Sequence, residues 1–308
     1  MDEEFDIVIA GGGVAGLTAA LTAARLGCKT FVLTGDVLGG LLLSIDKVEG
    51  FPGFVDGVPG YDLCPMIQEQ AVAAGAQFTV ASLDSLERQN GAWHLTSGKA
   101  HLRARAVILA TGATLKELGV PGEERLRGNG VSHCASCDAP LVRKKTVAVV
   151  GGGDSALQEA LTLADFAERV IILQGGAELT AQAVYRDRVS NQPKIEVRFD
   201  TVVEEVLGDD KVSGVRIRNT KGNAPTDLEL AALFVYIGVQ PATVFVKADI
   251  KLDPLGRIPV DARLRTELPG VFAAGIARSG SAGRAAASAG DGAVAAVAAE
   301  RYLTGGDW

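Results

Sequence analysis

Two stretches of this chain repeat one pattern: a short apolar run, a glycine triplet, then an alanine- and leucine-rich segment. Residues 5–10 lead into Gly11-Gly12-Gly13-Val14-Ala15-Gly16, and residues 146–150 lead into Gly151-Gly152-Gly153-Asp154-Ser155-Ala156. A shift of 140 residues places Gly11 on Gly151, Gly13 on Gly153, Ala20 on Ala160 and Leu33 on Leu173. Each apolar run reads as a buried parallel strand. The glycines supply a tight turn, a close backbone approach and close helix–strand packing. A helix to about residue 26 and a strand over 29–33 complete the first copy. A helix to about residue 168 and a strand over 169–173 complete the second. The expected fold class is α/β, with two Rossmann-like units.

Only the first copy has the full G-x-G-x-x-G spacing, at positions 11, 13 and 16. Alone it is weak evidence for a dinucleotide; between a strand and a helix it gains weight, because the helix N-terminus then offers free N–H groups to phosphates. The competing reading is a tight strand-to-helix turn and nothing more. The acidic residue usual at the end of the second strand is missing: Thr34-Gly35 stands there, and Asp36 is the nearest substitute. Between the copies, residues 106–109 form a short buried strand ending in Ala110-Thr111-Gly112, preceded by a hairpin-like stretch around Asn90-Gly91. A similar stretch over 197–217 turns at Gly208-Asp209-Asp210. Further buried strands are expected over 233–238 and 270–275, and a last helix from near Arg284 through Leu303. The small residues 285–290 at its start leave room for a large ligand, or equally for close helix–helix packing.

A length of 308 residues fits two domains, and a net charge of −7 argues against nucleic acid or an anionic membrane as the main partner. The acidic start lacks the basic region of a signal peptide, and the alanine-rich end is interrupted by Arg278, Arg284 and Asp291. A cytoplasmic protein is expected.

Just ahead of the second glycine turn stands Cys134-Ala135-Ser136-Cys137-Asp138. Two thiols three positions apart beside a carboxylic acid can carry two electrons and handle a proton. Such a pair beside a βαβ pattern reads as redox-active. Zinc and a structural disulfide compete with that reading. Zinc needs four ligands and only His133 stands close by, while a structural bridge is uncommon in a reducing compartment. Cys28 and Cys64 are far from the pair and read as packing residues. His94 and His101 read as surface or loop residues; His133, next to Cys134, is placed to support a thiolate.

Taken in order, the glycine loop, Ala110-Thr111-Gly112, the Cys-x-x-Cys-Asp stretch, the second glycine loop, Gly270-Val271-Phe272-Ala273-Ala274-Gly275, Ser288-Ala289-Gly290 and Ala299-Glu300-Arg301-Tyr302-Leu303 resemble the low-molecular-weight thioredoxin reductase family almost end to end. The resemblance implies a discontinuous FAD-binding domain over 1–116 and 240–308, with an NAD(P)-binding-like domain over 117–239 inserted into it. It implies a homodimer that passes electrons from NADPH through FAD and the cysteine pair to a small protein disulfide such as thioredoxin. Cys137 would face the flavin, Cys134 would exchange with the substrate, and Asp138 would act as acid and base. FAD would be held by Gly11, Gly12, Gly13, Val14, Ala15, Gly16, Gly39, Gly40, Leu41, Thr111, Gly112, Gly275, Ile276, Arg284, Ala285 and Ala286.

The departures bear on the electron donor. Where the family carries a His-Arg-Arg run and a further arginine for the 2′-phosphate of NADPH, residues 174–182 contain no cation, and Glu178 would repel a phosphate. Gln174 is not the carboxylate that NADH would favour. In this respect the chain resembles divergent members that do not use pyridine nucleotides, for which reduced ferredoxin or another flavoprotein is the implied donor. Ile276 replaces a ribityl-binding aspartate and Leu41 a glutamine usual near the flavin. Two alternatives stay open: a dithiol oxidase that passes electrons to oxygen, and a non-enzymatic redox-sensing or flavin-free dimer. Trp308 reads as a frayed terminal residue or as an aromatic that stacks on flavin.

Overall fold

The computed structural model describes residues 3–222, 224–245, 250–306 and 308. It divides into two compact units, residues 1–114 with 240–308 and residues 115–239.

In the first unit, strand Glu3–Ala10 is central to a parallel sheet. Thr30–Leu33 and then Gln77–Thr79 lie on one side, and Ala100–Leu109 followed by Val271–Ala273 on the other. Ile7–Ala10, Val32-Leu33, Ala106–Leu109 and Val271–Ala273 are apolar and buried because helices and loops cover both sheet faces there. The N-terminal half of Ala100–Leu109 pairs instead with an antiparallel hairpin, Ser85–Gln89 and Ala92–Ser97. Asn90 (φ 50°) and Gly91 (φ 83°) make its two-residue turn, the left-handed pair that a twisted hairpin requires. Helix Val14–Arg25 packs against the last helix, Ala285–Leu303, so closely that a Cβ on Gly292 would meet the Ala15 carbonyl oxygen at 2.1 Å. Over its middle and end, that helix uses its small residues for helix packing: Ala295, Ala296 and Ala299 are fully buried.

Trp308 is no frayed end. Its ring sits edge-on to Phe272 and Tyr302, with centroids 5.2 Å away in each case, and the Arg265 guanidinium lies over it at 5.8 Å. This places it at the C-terminal end of the last helix. The Gly11–Gly16 turn lies near the opposite end, about 28 Å along a helix of that length.

The second unit repeats the pattern. Its parallel sheet runs Ile195–Arg198, Arg169–Leu173, Thr146–Val150, Ala232–Val235, Val131–Ser132, beside an antiparallel sheet of Thr201–Leu207, Gly214–Asn219 and Thr226–Glu229. Helix Asp154–Ala164 ends four residues before the expected limit at 168. The reason is non-local: the Glu168 amide donates to the Lys145 carbonyl at 3.0 Å, which draws the chain off the helix toward the next strand. Among the described residues, no helix is long and apolar enough to cross a membrane.

Candidate functional site

In the first unit, the glycine turn is shaped by what surrounds it. Gly11 has φ 123°, and a Cβ there would lie 2.0 Å from the Ala110 carbonyl oxygen; one on Gly16 would lie 1.9 Å from the Gly11 oxygen. Gly13 behaves differently, since a Cβ there would meet nothing within 4 Å. It precedes a twelve-residue helix that has no side-chain cap at its start. The first amides of that helix and the open side of Gly13 therefore form a cradle suited to a pyrophosphate.

Other segments converge on this turn. The Gly39 amide donates to the Gly12 carbonyl at 2.8 Å, bringing Gly39-Gly40 and the 3-10 turn Gly40–Ser44, with Leu41 in it, alongside. Ala110-Thr111 abuts Gly11, and Thr111 Oγ1 donates to the Ala242 carbonyl at 2.8 Å. A Cβ on Gly275 would come within 2.9 Å of the Ala15 side chain and 3.7 Å of Ser288 Oγ, so Gly275-Ile276 and the first turn of the last helix face the same place. Arg284 is the N-cap of that helix, and Ala285 packs against Val48, Val58 and Leu63. Asp36 is exposed and accepts from Ser82 Oγ at 3.1 Å.

Two residues that sequence reasoning did not single out shape this region. Asp291 accepts the Gly275 amide at 3.1 Å and holds Arg278 through two bonds of 2.8 Å. Both side chains are largely buried, and nothing in their local spacing announces the pair.

In the second unit, Cys134 and Cys137 form a disulfide at the start of the one-turn helix Ala135–Asp138. Cys134 is the N-cap, and its Sγ accepts the Cys137 amide at 3.3 Å. The Cys134 amide donates to Ser132 Oγ at 3.0 Å, and the Ala135 amide donates to the Tyr236 hydroxyl at 3.0 Å. Asp138 is half-buried directly after Cys137. Burial, then Arg127, push the His133 pKa below the usual histidine value, which disfavours a positive charge beside Cys134. Among the described residues no group of three His, Cys, Asp or Glu side chains is arranged to hold a metal. Cys28 and Cys64 are free thiols, and burial pushes Cys64 up to about 11.

The second glycine turn is crowded by the chain's own segment. A Cβ on Gly152 would lie 2.6 Å from the Gln174 side chain, whose Nε2 donates to the Glu178 carbonyl at 2.8 Å. The Thr180 amide donates to the Gly152 carbonyl at 2.8 Å, and Asp154 accepts both the amide and side chain of Gln182. Arg198, whose carbonyl takes the Gln174 amide, is paired with Glu196 at 2.7 Å.

The family model for pyridine nucleotide-disulphide oxidoreductases matches residues 5–292. A thioredoxin reductase of Treponema pallidum is 37% identical over 303 residues, 98% of each chain. The crystal structure of a Lactococcus lactis thioredoxin reductase is 33% identical with a TM-score of 0.94, covering 97% of this chain and 99% of that one. A ferredoxin-flavin thioredoxin reductase from Clostridium acetobutylicum is 30% identical with a TM-score of 0.53, covering 98% of both. Thioredoxin reductases are FAD-binding flavoproteins. The chain belongs to the pyridine nucleotide-disulphide oxidoreductase family and is an FAD-dependent disulfide oxidoreductase of the thioredoxin-reductase type.

Proposed function

We propose that this chain reduces the disulfide of a thioredoxin-like protein through Cys134 and Cys137, and that its electrons come from a donor other than NADPH, a reduced ferredoxin or another flavoprotein. The observation that carries this reading is the segment 174–182. It offers no cation to a 2′-phosphate and presents Glu178. The nearby Arg198 is already paired with Glu196.

FAD would be held by Gly11–Gly16, Gly39-Gly40, Leu41, Thr111-Gly112, Gly275-Ile276 and residues 284–286, with the open side of Gly13 taking the pyrophosphate. When bound, it supplies the two-electron chemistry between the donor and the dithiol. Once the pair is reduced, Cys134 is the attacking thiolate, favoured by the Cys137 amide it already accepts. Its sulfur joins one sulfur of the substrate disulfide and the other leaves as a thiolate, which takes up the Cys137 proton by way of the Asp138 carboxylate. Cys137 then attacks Cys134, which re-forms the Cys134–Cys137 bond and releases the substrate as a dithiol. In this reading the protein is a cytoplasmic homodimer.

The test is an anaerobic titration of flavin bleaching with NADPH, NADH, dithionite and photoreduced ferredoxin. The reading expects bleaching by dithionite and ferredoxin, followed by reoxidation with a thioredoxin-like disulfide. Stoichiometric bleaching by micromolar NADPH would overturn the donor assignment. Bleaching by a dithiol and reoxidation in air would identify an oxidase instead.

A further inference from the structure

We propose that Tyr236 is a positioning residue for the redox pair: its hydroxyl holds the Ala135 amide, and this bond stabilises the disulfide more than the reduced dithiol. The inference rests on the redox role assigned above to Cys134 and Cys137.

Tyr236 follows strand Ala232–Val235 and is only 9% exposed. It lies between two parts of the second unit. Its amide donates to Val150 at 2.8 Å, and its carbonyl oxygen stands 2.1 Å from where a Cβ on Gly151 would be, so its backbone is locked to the second glycine turn. Its side chain reaches the Cys-bearing turn, where Oη accepts the Ala135 amide at 3.0 Å across 101 residues of sequence. Ala135 is fully buried in the same apolar cluster. Desolvation, then the Glu159 carboxylate, raise the phenol far above its ordinary pKa, so it stays neutral throughout the physiological range and does not act as a proton donor to sulfur.

The consequence differs between the two redox states. In the disulfide, a covalent ring joins Cys134 to Cys137 and itself restrains the turn. Reduction opens that ring, and hydrogen bonds alone then keep the Cys137 amide on the Cys134 sulfur. The first amide of so short a helix has no partner within the helix. Without the Tyr236 hydroxyl, the ring-restrained turn of the disulfide would keep the buried Ala135 amide unsatisfied, whereas the opened turn of the dithiol can move toward water and give that amide a partner.

The experiment equilibrates the intact flavoprotein with graded reduced and oxidised dithiothreitol and quantifies Cys134/Cys137 thiols by alkylation and mass spectrometry. Wild type is compared with Tyr236→Phe, which keeps the ring, and with Tyr185→Phe. Tyr185 is a control, a buried tyrosine of the same unit whose hydroxyl donates to Gln158. Tyr236→Phe should raise the equilibrium constant for reduction about tenfold, 29.6 mV for a two-electron couple, while Tyr185→Phe leaves it unchanged; a lowered constant in Tyr236→Phe would refute the proposal. Equal potentials for wild type and Tyr236→Phe would overturn the proposal, as would equal shifts in both variants, the mark of general loosening. A wild-type pair that cannot be reduced reversibly would instead remove the redox reading beneath it. Should Tyr236→Phe fail to fold, amide exchange of Ala135 in the wild type decides: protection must be stronger in the disulfide than in the dithiol, and equal or reversed protection would refute the proposal.

Discussion

The sulfur of Cys134 accepts the amide of Cys137 at 3.3 Å across the same turn that their disulfide closes. The two cysteines are therefore unequal: one caps the helix and the other sits exposed within it. Cys137→Ser should leave Cys134 able to attack but unable to be displaced, and should accumulate a mixed disulfide with a thioredoxin-like substrate. Cys134→Ser should not. Both variants should keep their flavin and lose disulfide turnover, with non-reducing electrophoresis reporting the trapped adduct. Equal trapping by both would refute the assignment of Cys134 as the exchanging thiol.

A second prediction concerns cofactor grip. Asp291 is committed to Arg278 and the Gly275 amide, while Ile276 beside them offers no acceptor. Ile276→Asp should supply a carboxylate for a ribityl hydroxyl. A hydrogen bond to a charged group contributes about 1.5–3 kcal/mol, so FAD should bind roughly 10- to 150-fold tighter. Equilibrium dialysis of the two proteins measures this; unchanged or weaker affinity would count against a ribityl site at this position.

The missing cations can be restored. Neither Gly175 nor Gly176 lies in the left-handed region, and a Cβ would meet only Val202 at 3.6 Å or the Gln174 amide group at 3.4 Å. Gly175→Arg with Gly176→Arg should thus be tolerated. Two charge-assisted bonds at about 1.5 kcal/mol or more each should tighten NADPH by about 10²-fold or more. The gain should be absent for NADH, which lacks the phosphate. Improvement of both cofactors alike would point to a cause other than the phosphate.

Thiol reactivity should follow burial. Cys64, fully buried and raised to about 11, holds only about one part in a thousand as thiolate at pH 8. Because its pKa is raised, the thiolate gains only as pH climbs toward that value. In the oxidised protein, alkylation at pH 8 should therefore spare Cys64 while reduction adds Cys134 and Cys137 as fast sites. Rapid native labelling of Cys64, read by peptide mapping, would contradict its burial.

Both Rossmann-like units, the hairpin turn at Asn90-Gly91 and the Cys-x-x-Cys stretch could be found from sequence. Each depends on a local rule: glycine spacing between an apolar strand and a helix, left-handed turn residues, two thiols three positions apart. The absence of cations in 174–182 was equally visible, because a charge is present or not whatever the packing. Other features depended on the fold. Helix Asp154–Ala164 stops early because Lys145 claims the Glu168 amide, and Trp308 docks on Phe272 because the last helix delivers it there. His133, beside Cys134 in sequence, has its charged form disfavoured by burial and Arg127, which does not favour supporting a thiolate. Asp291 meets Arg278 and Tyr236 reaches Ala135 only after separate segments pack together, since hydrogen bonds between distant residues leave no periodicity in the sequence. Residue type and local spacing thus established the chemistry this chain carries; long-range packing decided which buried side chains hold that chemistry in place.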